Sequence, residues 1–305
     1  MNSPLGEPDP QPAMLEAPRP ADRVPAAVGH LGLLALPGIG FVVPLLLRSG
    51  GREDAAWLDF QLLQAVGWNV LQPVYLLLVI LVEGLGLAVA LALLAAQPAG
   101  LTPDRLAWAL IAAVAVFSIF GLAFSLAELW GAFACLLGRD FRYPWLGSKL
   151  VRYLADAGTR LDRSDRFLAA MAHAAILMPV TGMLLPLWNL LAPAGRTAWK
   201  RFHALQTLVY QGAGALLALF LTLLGWLTLL PVVRSFERII SDFGQGVFTF
   251  QDFLVLVPVI LVLTLAAIAL LLAPLYQTLG LVAAARVLKG RDFVYSLVSR
   301  FISNV

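Results

Sequence analysis

Charged residues, cysteine and the signatures of soluble enzymes are scarce in this 305-residue sequence. Asp, Glu, Lys and Arg make up 13% of the residues, whereas hydrophobic residues make up 60%. A typical soluble domain has roughly a quarter charged residues and has no means of burying so much apolar surface. The composition excludes a soluble globular enzyme, a disordered protein and a nucleic-acid-binding module, so lipid is the expected solvent.

Motifs for disulfides, metals and nucleotides are also missing. Cys135 is the single cysteine, so the chain forms no internal disulfide, and together with three scattered histidines it makes no zinc pattern. No serine elbow, P-loop, dinucleotide-binding glycine fingerprint or HExxH motif occurs in the sequence. We therefore expect a protein that is not an enzyme, uses no cofactor or metal and binds no nucleic acid.

Apart from its first residues, the sequence consists mainly of long apolar runs. Seven of the 19 prolines lie within residues 1–26, which we interpret as a disordered, Pro-rich cytoplasmic tail. The later runs match or exceed the roughly 20 residues that a transmembrane helix needs. They comprise residues 60–82, 84–103, 106–127, 167–195, 202–233 and 253–285. The predicted fold is all-α, a polytopic helical membrane protein.

The two halves of the chain share the same prolines, glutamines and aromatic residues. At one constant offset, Pro37, Pro44 and Gln64 fall on Pro179, Pro186 and Gln206. The string GRDF at 138–141 recurs at 290–293, and Tyr143 and Tyr295 follow the two copies. Because apolar helices do not share such residues by chance, the pattern predicts two homologous halves.

Each half is predicted to contain one Pro/Gly-broken membrane segment and two long transmembrane helices. The halves are residues 27–150 and 167–305, and a basic amphipathic cytoplasmic linker at 151–166 joins them. Together with the residues just before it, from 139 onwards, the linker is predicted to form a helix in the membrane interface. A polar external loop is predicted over 235–252.

The course of the broken segments decides the topology. Pro37 and Pro179, each with a nearby glycine, break a helix midway, so either segment crosses the membrane or dips in and returns. Crossing would invert the second half. Re-entry leaves Arg105, Arg234 and Arg238 outside and the other 18 of the 21 Lys and Arg inside. The positive-inside rule therefore favours re-entry and two cytoplasmic termini in a bacterial inner membrane.

Four ionisable residues within apolar segments are candidates for an intramembrane polar site: Glu83, Glu128, His30 and His173. Because a charge in hydrocarbon is costly, such a residue is a functional hypothesis by default. The alternative is structural, a neutral acid or histidine bonded to a neighbouring helix. We expect Glu83 to be protonated and to face protein, with Glu128 or Asn69 as its acceptor. For the histidines, pigment binding is the weaker hypothesis and a hydrogen bond the stronger.

Structural roles are predicted for the remaining shared residues. Gln64 and Gln206 are expected to bond across helices. Pro37, Pro44, Pro179 and Pro186 are expected to shape the broken segments. Trp57, Trp199, Tyr143 and Tyr295 are interpreted as anchors in the membrane interface.

These positions carry a family resemblance. With His30, Pro37, Pro44, Trp57 to Gln61, and Gly138 to Pro144, the sequence resembles a bacterial membrane domain-of-unknown-function family. That family is related to the twenty-kilodalton subunit of the chloroplast inner-envelope protein-import translocon. The resemblance covers about residues 27–150 and again 168–300, as in a tandem duplication. It implies a helical integral membrane protein tied to translocation, and it supplies no catalytic residues.

Two classes of function follow from these features. The first is a non-enzymatic integral membrane scaffold or accessory subunit of a larger membrane assembly, with other membrane proteins or a second copy of the chain as partners in the bilayer. The second is a transporter or translocation pore with a site at the broken segments of the two halves. The shortage of polar side chains in those segments favours the first.

Overall fold

The computed structural model of the chain describes residues 18–36, 38–50, 55–97, 102–155, 160–178, 180–192, 197–244, 246, 249–296 and 298. Every regular element among these residues is a helix, which confirms the predicted all-α class. The α-helices are α1 Pro20–His30, α2 Gly32–Ala35, α3 Val42–Ser49, α4 Ala56–Ala95, α5 Pro103–Leu136, α6 Leu146–Ala155, α7 Arg160–Ala174, α8 Leu184–Leu191, α9 Ala198–Gly244 and α10 Phe250–Leu288. Two 3-10 turns, Ala175–Leu177 and Thr181–Met183, precede α8.

Helices α4, α5, α9 and α10 are long and apolar enough to cross a membrane, as the sequence predicts. In the most apolar 18-residue window of each, only 6% of the residues are buried inside the protein. The 40 residues of α4 extend about 60 Å, roughly twice the thickness of the hydrocarbon core. Each long helix therefore has one part that faces lipid and another that packs within the protein.

The protein core lies at one end of the long helices, which we call the core end. Nearly all the buried residues of α4 fall between Trp57 and Val70, and those of α5 fall between Phe124 and Cys135. Since α4 and α5 run in opposite directions, these two stretches lie side by side. Helices α1, α3, α6, α7 and α8 pack around them and around the last turns of α10.

The two broken segments form short helices at the core end. Pro44 and Pro186 are each the third residue of an eight-residue helix, α3 and α8 respectively, where proline costs no hydrogen bond. Helices of eight residues extend about 12 Å, too short to cross the hydrocarbon core. Pro37 and Pro179 lie outside the described residues, and re-entry of these segments stays a prediction.

Three element boundaries differ from the prediction. Helix α1 begins at Pro20, so residues 20–26 of the predicted tail are helical; proline at the first helical position is favourable. The predicted interface helix is divided between α6 and α7, and α7 continues beyond residue 166 to Ala174. Helix α9 continues to Gly244, where an external loop was expected to begin at 235.

Candidate polar site at the core end

A buried polar cluster connects α1, α4 and the loop that follows α5. His30 Nδ1 lies 2.9 Å from the Tyr143 hydroxyl, and His30 Nε2 lies 3.0 Å from Gln61 Oε1. Gln61 Nε2 donates to Asp140 Oδ1 at 3.2 Å. Because an amide oxygen only accepts, His30 Nε2 carries the proton and His30 Nδ1 accepts from the Tyr143 hydroxyl. These residues and Gln64 form the first polar cluster.

Burial keeps the histidine and the tyrosine of this cluster neutral. His30 is fully buried, and its desolvation lowers its pKa from 6.5 to about 4, although the hydrogen bond to Gln61 opposes the change. Burial also raises the pKa of Tyr143 well above its ordinary value. At neutral pH both rings therefore carry hydrogen bonds and no charge, as a buried site requires.

Gln64 attaches the loop after α5 to the start of α4. Its Nε2 donates to the Phe141 carbonyl at 2.7 Å, and its Oε1 accepts from the Tyr143 backbone N–H at 3.2 Å. A buried backbone group without a partner costs roughly 1–3 kcal/mol. One glutamine side chain thus satisfies two backbone groups of a loop that has no regular structure.

A second polar cluster connects α7, α9 and the residues after α10. His173 Nδ1 lies 3.0 Å from the Tyr295 hydroxyl, and His173 Nε2 lies 3.2 Å from His203 Nδ1. Gln206 Nε2 donates to the Phe293 carbonyl at 2.8 Å, and Gln206 Oε1 accepts from the Tyr295 N–H at 3.4 Å. Burial, and then the neighbouring His203, lower the pKa of His173 to about 3.

His203 takes the place that a glutamine holds in the first cluster. Its ring packs on Trp199 with centroids 4.4 Å apart, and its Nε2 lies 3.8 Å from Asp292 Oδ1. The same carboxylate accepts from Trp199 Nε1 at 2.7 Å. A chain of polar contacts therefore runs from the buried Tyr295 hydroxyl to the exposed carboxylate of Asp292.

A stack of three aromatic rings continues each cluster along the long helices. The rings are Tyr143, Trp68 and Phe124 in the first cluster, and Tyr295, Tyr210 and Tyr276 in the second. The interpretation of Tyr143, Tyr295 and Trp57 as interface anchors is wrong, because all three are buried. The tyrosines are buried because their hydroxyls reach the two histidines.

Glu128 lies against the first cluster but outside its hydrogen-bond network. Its side chain is 0% exposed, and neither carboxyl oxygen has a hydrogen-bond partner among the described residues. Gly131 and Cys135 lie on the same face of α5 as Glu128, and both are close to the first cluster. A Cβ added to Gly131 would lie 3.2 Å from His30 Nδ1, and Cys135 Sγ lies 3.5 Å from Gln61 Oε1. Glu128 is thus a buried acid directed at the cluster.

Glu83 lies apart from both clusters, on the lipid-facing part of α4. It is half-buried, and its Oε1 has no hydrogen-bond partner within the described part of the chain. The expectation that Glu128 or Asn69 accepts its proton is wrong, and neither Glu128 oxygen has a hydrogen-bond partner among the described residues. Asn69 lies on the same helix about 21 Å away, and its amide donates to the Ala65 carbonyl at 2.7 Å.

The residue pattern did not predict the partners that complete these clusters. Gln61 and Tyr143 bond to His30 across 31 and 113 residues of sequence, and Asp140 bonds to Gln61. The repeated GRDF string and the tyrosine after it were the available signal, since they stand at the same place in both clusters. Within the described residues, no group of three or more His, Cys, Asp and Glu side chains is arranged to hold a metal ion.

The helices and their lipid-facing surfaces define a multi-pass helical membrane protein. Residues 21–151 match the model of the magnetosome magnetite crystal formation protein family (MamF/MmsF). This range is less than half of the chain, and it contains α1 to α5 and the whole first polar cluster. No curated protein and no solved structure matches the chain.

The comparison corrects the family expected from the sequence. The matched family is the magnetosome family, and the resemblance to relatives of the chloroplast import subunit is wrong. The match covers residues 21–151 and gives no support for a tandem duplication, so the two homologous halves are not shown. It also gives no support to a transporter or translocation pore.

Proposed function

We propose that this chain is a non-enzymatic accessory protein of a magnetosome-type membrane that takes part in the formation of magnetite crystals. The match of residues 21–151 to the magnetite crystal formation family carries the proposal. The matched range begins one residue into α1 and ends within α6. It holds the first polar cluster and one pair of long helices.

The architecture supports a scaffolding role in the membrane. The outer parts of the four long helices offer apolar surface to lipid and to the helices of partner proteins or of a second copy. At the core end, buried hydrogen bonds of Gln64 and Gln206 attach the residues after α5 to α4 and the residues after α10 to α9. Such an arrangement holds a defined surface next to the bilayer.

For the orientation, we propose that the core end and both termini face the cytoplasm of a bacterial inner membrane or of a vesicle derived from it. Basic residues of α6 and α7 cluster at the core end, among them Lys149, Arg152 and Arg163. Cysteine labelling tests this, with Ser148→Cys at the core end and Asp104→Cys at the opposite end. The native Cys135 is buried and gives little background. Labelling of Ser148→Cys from outside intact cells would contradict the proposal.

Expression in a magnetite-forming bacterium that lacks its own members of this family tests the function. We expect the full chain to shift the length distribution of the crystals, measured by electron microscopy, relative to the empty vector. The variant Gln64→Leu should lose this effect, because it releases the loop after α5. Thr264→Val, which removes an exposed hydroxyl bonded within its own helix, is the matched control. Unchanged crystals with the chain present in the membrane would contradict the proposal.

A further inference from the structure

A shallow pocket lies where α5 ends at the core end. Its volume is about 280 Å³. One wall consists of apolar side chains on the last turns of α5, namely Trp130, Phe133 and Leu137, and these are 60%, 52% and 48% exposed. The other wall is the loop at 139–142. The pocket thus has one side continuous with the lipid-facing surface of α5 and one polar side.

The polar side of the pocket is positively charged. Arg139 and Arg142 line it, and the guanidinium of Arg23 packs on Gly138, which lies between the lining residues Leu137 and Arg139. The Arg23 guanidinium lies 2.8 Å from the position of a Cβ on Gly138. The single acid is Asp140, whose Oδ2 accepts from Arg142 at 2.8 Å. Three arginines and one aspartate leave a net charge of about +2 at the rim of the pocket.

Arg23 has one buried donor group, its Nε, without a hydrogen-bond partner among the residues that the structure describes. The cation lies at the carboxyl end of α5, where the helix dipole attracts it, but a buried N–H without an acceptor remains costly. An oxygen-rich anion bound in the pocket would supply that acceptor.

We propose that this pocket binds the headgroup of an anionic phospholipid. Its phosphate would bind to Arg23, Arg139 and Arg142, since guanidinium groups match the geometry of phosphate oxygens. An acyl chain would run along Trp130 and Phe133 toward the bilayer. Asp140 stays paired with Arg142 and keeps that side chain in position.

The apolar wall of the pocket and its position at the end of α5 favour a lipid over a free anion. A site for free phosphate needs no apolar wall, whereas Trp130, Phe133 and Leu137 form a continuous one. The 34 residues of α5 extend about 51 Å, which is longer than the hydrocarbon core, so the helix can cross the core and end outside it. The proposal places the arginines after Leu137 at the level of the lipid phosphates.

Native mass spectrometry of the purified full chain tests this site, with phosphatidylglycerol and phosphatidylcholine as probes. We expect one phosphatidylglycerol to be retained with roughly tenfold preference over phosphatidylcholine. The double variant Arg139→Gln/Arg142→Gln should weaken that binding by roughly tenfold or more. The matched control Lys149→Gln/Arg152→Gln removes the same charge from α6 at the same end, and its binding should stay within roughly twofold.

Three results would overturn the proposal. The first is equal retention of both lipids, and the second is an equal loss of phosphatidylglycerol binding in the pocket variant and in the α6 control. The third is displacement of phosphatidylglycerol by millimolar inorganic phosphate, which would indicate a site for a free anion. Trp130→Ala provides a second variant, should the double variant be poorly folded. Its side chain is largely exposed, so the fold should persist while retention of phosphatidylglycerol falls several-fold. Unchanged retention of phosphatidylglycerol in Trp130→Ala would show that no acyl chain packs on Trp130. This result would also contradict the assignment of the pocket to a lipid.

Discussion

His30 on α1 and Tyr143 in the loop after α5 lie 113 residues apart in sequence, and 2.9 Å separates the His30 Nδ1 from the Tyr143 hydroxyl. This hydrogen bond connects α1 to the loop that follows α5. His173 and Tyr295 make the equivalent contact at 3.0 Å between α7 and the residues after α10. The short helices are thus held to lipid-facing helices by buried polar contacts as well as by apolar packing.

Replacing Gln64 by leucine should destabilise the protein. The change leaves the Phe141 carbonyl and the Tyr143 N–H buried without their partner, which costs roughly 1–3 kcal/mol for each unpaired group. We expect a lower melting temperature in mild detergent, measured by tryptophan fluorescence. Thr264→Val should melt like the parent. An unchanged melting temperature for Gln64→Leu would show that the loop does not depend on this side chain.

A methyl group on Gly131 should also destabilise the protein, whereas one on Gly121 in the same helix should not. The Cβ of Gly131→Ala would lie 2.8 Å from the Phe141 ring and 3.2 Å from His30 Nδ1, so the first cluster has to shift. Gly121 has nothing within 4 Å of that position, and alanine there gains helix propensity of up to ~1 kcal/mol. Thermal melting of the two variants compares them directly. Equal melting temperatures would contradict the close packing of α1 against α5.

Stability should fall as the pH drops below about 6.5. The folded pKa of His30 is about 4 and the unfolded value is 6.5, so between these values the unfolded chain binds a proton that the folded chain does not. The stability contributed by neutral His30, roughly 3 kcal/mol, is complete above pH 6.5 and is lost toward pH 4. His173, with a pKa of about 3, acts in the same direction.

Melting temperatures at pH 7.5 and pH 5 measure this dependence. His30→Gln removes the titrating ring, so the difference between the two pH values should be smaller in this variant than in the parent. The same difference in both proteins would mean that His30 is not buried as a neutral ring.

Replacing Glu128 by leucine should stabilise the protein. The parent buries a carboxyl group with no hydrogen-bond partner among the described residues, and leucine removes that cost of roughly 1–3 kcal/mol at similar volume. Glu128→Gln keeps a buried polar group and should gain less. A fall in the melting temperature of Glu128→Leu would show that the carboxyl has a partner, such as a bound cation or water.

The four long helices followed from the sequence because lipid accepts only long uninterrupted apolar stretches. The helix ends did not follow, since charge marks the membrane boundary and not the end of a helix. In α9 the charged residues after Val233 were interpreted as a loop, yet the helix continues to Gly244. Similarly, the proline-rich composition predicts a disordered tail up to residue 26, although Pro20 is favourable at the first position of α1.

The polar clusters were harder to predict, because their contacts join residues far apart in sequence. Tyr143 has the amphipathic character typical of an interface anchor, and only the position of His30 explains why it is buried instead. His203 was not among the predicted polar residues, and the structure places it between His173 and Asp292. Sequence periodicity contains no information on such pairings.

Crystal growth inside vesicles tests the central claim most directly. The purified full chain is reconstituted into phospholipid vesicles, mixed iron(II) and iron(III) salts are enclosed, and magnetite is precipitated by raising the pH. Electron microscopy then gives the size distribution of the crystals. If the chain acts in crystal formation, vesicles with the protein should yield a distribution distinct from that of empty vesicles, and Gln64→Leu should lose part of the difference. Identical distributions with and without the parent protein would contradict the proposed function.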